Sequence, residues 1–316
     1  MYKKLLVAYD GSLSSKSALR EALEISASFD SYITLISVFD LPTEIFGISS
    51  LESERIESEL FTMLLSAFEQ AKEKNKKINA YFATIAGDNA TYTNIESNEK
   101  IQIPKKVHSP DYAIVSFSEF LKPDLILIGT KGYNRVINVG SVTVGVIRDA
   151  PCDVLTIKNY KEGPFEKKYK NILLAFDGSE TSINALKRSI TIAKRFKWEI
   201  TAIHVYPLLT EINLFSSVHT KEILLQTSKQ ILERAREIAY KEDFPIYTHS
   251  GGFGDPAQYI VNYATEEDYD MVVLGTQNPN TVKKVLIGSI AYRIISEADF
   301  PVYCIPIKSS KTKKSN

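Results

Sequence analysis

Two short segments carry residue types able to hold a ligand, and each occurs twice. Asp10-Gly11-Ser12 and Asp177-Gly178-Ser179 each close a short apolar run and precede a helical pattern. A carboxylate at a strand end accepts hydrogen bonds from ribose hydroxyls or from an adenine amine, while glycine permits the tight turn and serine caps the helix. The same three residues also make a plain turn and cap, with no ligand. The second segment is Gly129-Thr130-Lys131-Gly132, with Gly140-Ser141-Val142 opening a helix that runs towards Ala150-Pro151. A glycine loop entering a helix N-terminus presents backbone N–H groups at the positive end of the dipole, which suits the oxygens of a polyphosphate. Lys131 adds a cation there and Ser141 a hydroxyl donor, and glycine lets the backbone approach because no Cβ intervenes.

These segments belong to an internal repeat. Leu5–Asp10 matches Ile172–Asp177 at an offset of 167, and the match continues through Ala18-Leu19 and Ala185-Leu186, Ile33-Thr34 and Ile200-Thr201, and Val38 and Val205. Asp124–Thr130 matches Asp270–Thr276 at an offset of 146, followed by Gly140-Ser141 with Gly288-Ser289 and Val154–Ile157 with Val302–Ile305. The first copy therefore holds about 21 extra residues, placed around 87–107. Their alternation about a polar Glu96–Lys100 centre predicts a β-hairpin projecting from the domain, with a long loop as the alternative. The expected organisation is one domain over 1–158, a linker over 159–170, a second domain over 171–308 and a disordered basic tail over 309–316.

Within each copy, short branched apolar runs such as Leu5–Ala8, Ile33–Val38 and Leu125–Ile128 read as strands buried on both faces. Ser14–Ser28 carries apolar residues at helical spacing, and longer amphipathic helices fall within Leu51–Lys74 and Glu222–Lys241. The alternation predicts an α/β fold of two repeated, doubly wound domains, with ligands at the carboxyl ends of the strands.

Composition narrows the function. The 316 residues include 38 basic and 38 acidic side chains, a balance that argues against a dedicated nucleic-acid binder. That neutrality is net −3 over 1–158 and net −3 over 171–307, offset by basic residues in 159–170 and from Lys308 onward, so an anionic ligand must be held by local backbone donors. No apolar run is long enough to cross a bilayer, and the start Met1-Tyr2-Lys3-Lys4 lacks a signal-peptide pattern. With only Cys152 and Cys304, a reducing compartment is the default. The expectation is a soluble cytoplasmic protein, with no membrane and no nucleic acid among its partners.

At this point the residues resemble the universal stress protein family, over nearly all of both repeats. Gly254-Asp255-Pro256-Ala257 is similar to the family's G-D-P-A segment and Ala150-Pro151-Cys152 to its A-P-C. The resemblance implies a five-stranded parallel sheet flanked by helices in each repeat. It also implies, in nucleotide-binding members, G-x2-G-x9-G-[S/T] after the fourth strand. Here the first copy separates Gly132 from Gly140 by seven residues instead of nine, whereas the second keeps nine but has Asn278 for the second glycine. Gln277 replaces Lys131, leaving Lys283 and Lys284 as the nearest cations. Asn tolerates a left-handed backbone, which suits the turn, while its side chain stands in the way of a phosphate.

By that resemblance Ala8, Asp10 and Val38 line an adenosine pocket, with Gly129, Lys131, Gly132, Gly140, Ser141 and Val142 around the phosphates. The matching second set is Ala175, Asp177, Val205, Gly275, Asn278, Gly288, Ser289 and Ile290. The implied ligand is ATP or a related adenine nucleotide, with magnesium only alongside ATP, and the implied role is a stress-response sensor or regulator. Two alternatives stay open: a slow ATPase, and a scaffold that binds a protein partner or a small apolar ligand. The resemblance further implies a pseudo-dimer of the two domains through the edge strand Val154–Ile157 or Val302–Ile305, a homodimer of chains being possible, and an unidentified regulatory protein partner.

Other residues take plainer readings. His204 fits a satisfied core histidine, and His108, His219 and His249 have no partners at metal-ligand spacing. Cys152 and Cys304 read as packing residues, and Glu52, Glu54, Glu57 and Glu59 as a solvated helix face. Ser250-Gly251-Gly252 precedes a late helix instead of following the first strand, which argues against a pyrophosphate loop.

Overall fold

The computed structural model describes residues 2–40, 50–130, 139–159, 161, 163–207, 218–276 and 288–306. Lys131, Gly132, Gln277, Asn278, Lys283, Lys284 and the 309–316 tail lie outside the described residues.

The first half runs β1 (Lys4–Ala8), α1 (Leu13–Phe29), β2 (Tyr32–Asp40), α2 (Ser50–Lys74), β3 (Ile78–Ala86), β4 (Asn89–Asn94), β5 (Lys100–Gln102), α3 (Pro110–Leu121), β6 (Leu125–Gly129), α4 (Ser141–Asp149) and β7 (Asp153–Ile157). A short α5 (Phe165–Lys168) follows. The second half runs β8 (Asn171–Ala175), α6 (Glu180–Phe196), β9 (Glu199–Pro207), α7 (Val218–Lys241), β10 (Tyr247–Gly254), α8 (Pro256–Glu266), β11 (Met271–Gly275), α9 (Ser289–Glu297) and β12 (Val302–Ile305).

The strands form one sheet in the order β10-β9-β8-β11-β12-β7-β6-β1-β2-β3-β4-β5. Each half supplies five parallel strands, and their nearly unbroken burial matches the apolar runs of the sequence. The halves meet at their edge strands, where β7 pairs antiparallel with β12 through Val154↔Cys304, Leu155↔Tyr303 and Thr156↔Val302. An apolar edge strand is thereby covered. Because this one junction is antiparallel, the carboxyl ends of the two parallel sets point to opposite edges of the sheet.

The segment expected as a linker is built into the core. Phe165 and Tyr169 are fully buried, and their rings meet Tyr2, Phe196 and Trp198 at centroid distances of 5.3 to 6.4 Å. Phe29 closes the cluster against Tyr2 and Phe196 at 5.4 and 5.2 Å, edge to face, the arrangement that ring quadrupoles favour. Lys168 is buried too. Its ammonium donates to Glu21 at 2.7 Å and pairs with Glu24 at 2.5 Å on α1.

The inserted residues form a hairpin, but it continues the sheet where projection was expected. β4 pairs antiparallel with β3, and β5 with β4. The reason lies in the alternation: Ala90 and Tyr92 are buried, and Tyr92 stacks on Phe117 of α3 at 5.0 Å while its hydroxyl donates to the Ala113 carbonyl at 3.0 Å. Among the described residues, no helix is long and apolar enough to cross a membrane.

Candidate ligand clefts at the strand ends

Each half has a cavity where its strands end, about 300 Å³ in the first and 260 Å³ in the second. The first brings together Ala8, Asp10, Val38, Gly129, Gly140 and Val142 from four separate elements or their ends. Ser141 is exposed at the start of α4 and does not line it. The second brings together Ala175, Asp177, Val205, Gly275, Gly288, Ser289 and Ile290.

The Asp-Gly-Ser turns are alike in both halves. Gly11 and Gly178 adopt φ of +75° and +76°, a region that L side chains rarely occupy. Ser12 caps α1 by accepting from the Ser15 N–H at 3.1 Å, and Ser179 caps α6 by accepting from the Ser182 N–H at 3.3 Å. The Asp10 Oδ1 accepts from the Ser12 N–H at 3.1 Å, and the Asp177 Oδ1 from the Ser179 N–H at 2.9 Å and its hydroxyl at 2.5 Å. Burial acts to raise the Asp177 pKa, but these bonds outweigh it and hold the carboxyl below its ordinary value. Glycine and serine thus build the turn and cap, and the turn carries each aspartate to the cavity wall.

The glycines of the second motif divide into two kinds. At Gly129 a Cβ would meet the Ser14 hydroxyl and stand 2.7 Å from the Ser15 nitrogen, and at Gly275 it would stand 2.6 Å from the Thr181 carbonyl oxygen. These two let the first turn of α1 or α6 lie against a strand end. Among the described residues, Gly140 and Gly288 face no such neighbour: a Cβ at Gly140 would find its nearest atom at 3.7 Å, and one at Gly288 nothing within 4 Å. Both are N-caps without a side-chain capping bond, so α4 and α9 begin with backbone donors that no cap side chain covers. Gly140 is placed by its own N–H, which donates to the Thr130 carbonyl at 2.9 Å. Thr143 returns a bond to the Gly129 carbonyl at 2.8 Å.

Several lining residues escaped sequence reasoning. Pro110 and Ile114 on α3, and Pro256 and Ile260 on α8, form the apolar wall opposite the strands. The signal was present in Ser109-Pro110 and Asp255-Pro256, where a cap residue precedes a proline suited to a first helical turn. His204 also lines the second cavity, with Nδ1 2.9 Å from the Phe176 carbonyl. One ring nitrogen is satisfied, as expected, but the ring's setting is a cleft instead of a closed core. Thr130 and Thr276 are buried at the same point of each repeat, with hydroxyls that have no hydrogen-bond partner among the described residues.

Comparison with known proteins agrees with this architecture. The model of the universal stress protein family matches residues 1–158 and 168–306. A universal stress protein of Methanocaldococcus jannaschii is 32% identical over 143 residues, which are 44% of this chain and 84% of that protein. The stress response protein NhaX of Bacillus subtilis is 26% identical over 164 residues, 42% of this chain and 96% of that protein. Among solved structures, a universal stress protein from Archaeoglobus fulgidus superposes with a TM-score of 0.62 over 96% of both chains at 18% identity, a likeness of fold. With a family match in each half and the same sheet order repeated, this chain belongs to the universal stress protein family as a tandem member.

Proposed function

We propose that the strand-end clefts bind an adenine nucleotide, ATP or a close relative, and that the chain acts in a stress response as a nucleotide-responsive regulator. The observation that carries this reading is Gly140: an N-cap with no atom of the described residues closer than 3.7 Å to where a Cβ would stand, on a cavity that Asp10 also lines. In this reading the α4 N-terminus receives phosphate, Asp10 accepts from the ribose hydroxyls, and Ala8, Val38, Val142 and Ile114 enclose the base. Gly288, Asp177, Val205 and Ile290 do the same in the second half, with Lys131, Gly132 and Asn278 completing the loops. Magnesium would arrive with the phosphates, because no group of His, Cys, Asp or Glu among the described residues could hold a metal alone.

A reducing cytoplasmic setting fits the two buried free cysteines. The β7·β12 junction serves as an intramolecular counterpart of a dimer, and a regulatory protein partner belongs to the same proposal. Mass spectrometry of ligand co-purifying with the full chain, followed by calorimetry with ATP, tests the reading. An adenylate that is retained by the native protein and lost from an Asp10→Ala, Asp177→Ala double variant supports it. Absence of ATP binding, or unchanged binding in the double variant, overturns it.

A further inference from the structure

A second kind of cavity lies at the other end of the second half, where β8, β9 and β10 begin. It measures about 340 Å³, and its walls include Glu199, Tyr247, His249, Tyr263, Glu267 and Tyr269. None of its lining residues is a lysine or arginine, and among the described residues neither glutamate forms an ion pair. His249 and Tyr263 stack at 4.0 Å with planes 20° apart, and Tyr269 meets Tyr263 at 5.8 Å. Glu267 is also the C-cap of α8, so the negative end of that helix faces the same region. Burial lowers the His249 pKa in spite of Glu267, which keeps the ring neutral near pH 7.

The shared fold does not account for this set. By the strand register, His249 opposite Ile203 occupies the place of Tyr81 opposite Ile36. The offsets of the repeat put Tyr32, Phe117 and Leu121 where the second half has Glu199, Tyr263 and Glu267. The aromatic pair survives in the first half as Tyr81 on Phe117 at 4.9 Å, but both carboxylates are absent and strand β4 lies over that edge. The second half has no strand beyond β10 among the described residues.

Carboxylates beside aromatic rings, with no ion-pair partner among the described residues, suit an organic cation whose charge they pair while its carbon stem lies against the rings. A hard metal ion would need clustered oxygen ligands, and no such cluster occurs among the described residues. We propose that this cavity is a binding site for a small organic cation bearing a guanidinium or primary ammonium group. It stands apart from the nucleotide clefts and does not depend on them.

The test is an NMR titration of the full chain, carrying labelled tyrosine and histidine rings, with butylguanidinium, butylammonium and the neutral control butanol. Saturable shifts at His249, Tyr263 and Tyr269 with a cation but not with butanol are expected, and the stronger cation identifies the head group. Glu199→Gln with Glu267→Gln, both exposed positions, should weaken binding by about tenfold or more at an unchanged denaturation midpoint. No saturable shift with either cation, equal shifts with butanol, or undiminished binding in the double variant overturns the proposal.

Discussion

The hydroxyls of Tyr2 and Tyr303, 301 positions apart, lie 2.9 Å from each other in the buried seam between the two halves. Tyr303 sends its single proton to the Asp153 Oδ2 at 2.8 Å, so Tyr2 is the donor in the pair. Arg188 from the second half completes the set by donating to the same Asp153 oxygen at 2.9 Å. The chain's second residue, its last strand and both edge strands' surroundings are thus tied into one hydrogen-bonded series.

Tyr303→Phe removes a donor from a buried carboxylate and the acceptor of Tyr2, and should cost about 2–3 kcal/mol of stability, whereas Tyr2→Phe removes one bond and should cost about 1 kcal/mol. Urea denaturation measures both. An equal or reversed order would contradict the donor assignment.

The Glu21–Lys168–Glu24 group should give the native chain a distinctive pH response. Burial disfavours the Glu21 carboxylate more than Lys168 favours it, and its pKa is pushed up from 4.5 to about 6. A group with a raised folded pKa gives its full stabilisation below the unfolded value and loses it as pH rises through the folded value. The stability difference between the native chain and Glu21→Gln should therefore move against the native chain between pH 4.5 and about 6, by about 2 kcal/mol. Lys168→Met leaves two carboxylates without their cation and should cost about 3–5 kcal/mol at neutral pH, and less at pH 5. Denaturation midpoints across that range check both statements.

The two classes of glycine should separate in one experiment. Gly129→Ala drives a Cβ into the Ser14-Ser15 backbone and should cost at least about 2–3 kcal/mol, since the obstacle is main chain and cannot swing aside. Gly140→Ala meets nothing closer than 3.7 Å and should cost about 1 kcal/mol or less as a poorer cap, while lowering ATP affinity about tenfold or more. Calorimetry beside thermal denaturation distinguishes the two, and a Gly140→Ala variant with native affinity would remove the phosphate role.

Tyr92→Ala should cost about 3–5 kcal/mol, because its ring is fully buried against Phe117. A hairpin standing away from the domain would tolerate the change. Urea denaturation of the variant decides between them.

Much of this architecture is legible from local pattern. Short branched apolar runs mark the strands, Ser12 and Ser179 the helix starts, and the match of Asp10-Gly11-Ser12 with Asp177-Gly178-Ser179 the repetition of a whole domain. Asp10 and Gly140 are identifiable from their own types at a strand end and a helix start, which a parallel sheet gathers on one side, whereas Ala8 and Val38 follow from the resemblance to the family. The lining from Pro110 and Ile114 was harder to find, since a helix face shows its outlook only once the helix is docked.

What the sequence by itself determined was each half: its periods of burial, its turns and the side of the sheet on which a ligand would lie. Those depend on contacts within an element or between elements joined by a short crossover. The tertiary structure decided what depends on distant pairings. It set β7 against β12 in antiparallel register, so the two clefts open in opposite directions. It drew Phe165, Lys168 and Tyr169 from a seemingly polar connector into the core, and laid the inserted hairpin along β3. It also separated Gly129, which makes room for a neighbouring helix, from Gly140, which leaves its space open. In the sequence both are glycines of one motif, because a residue's type records that a Cβ is absent but not which atoms would otherwise meet it.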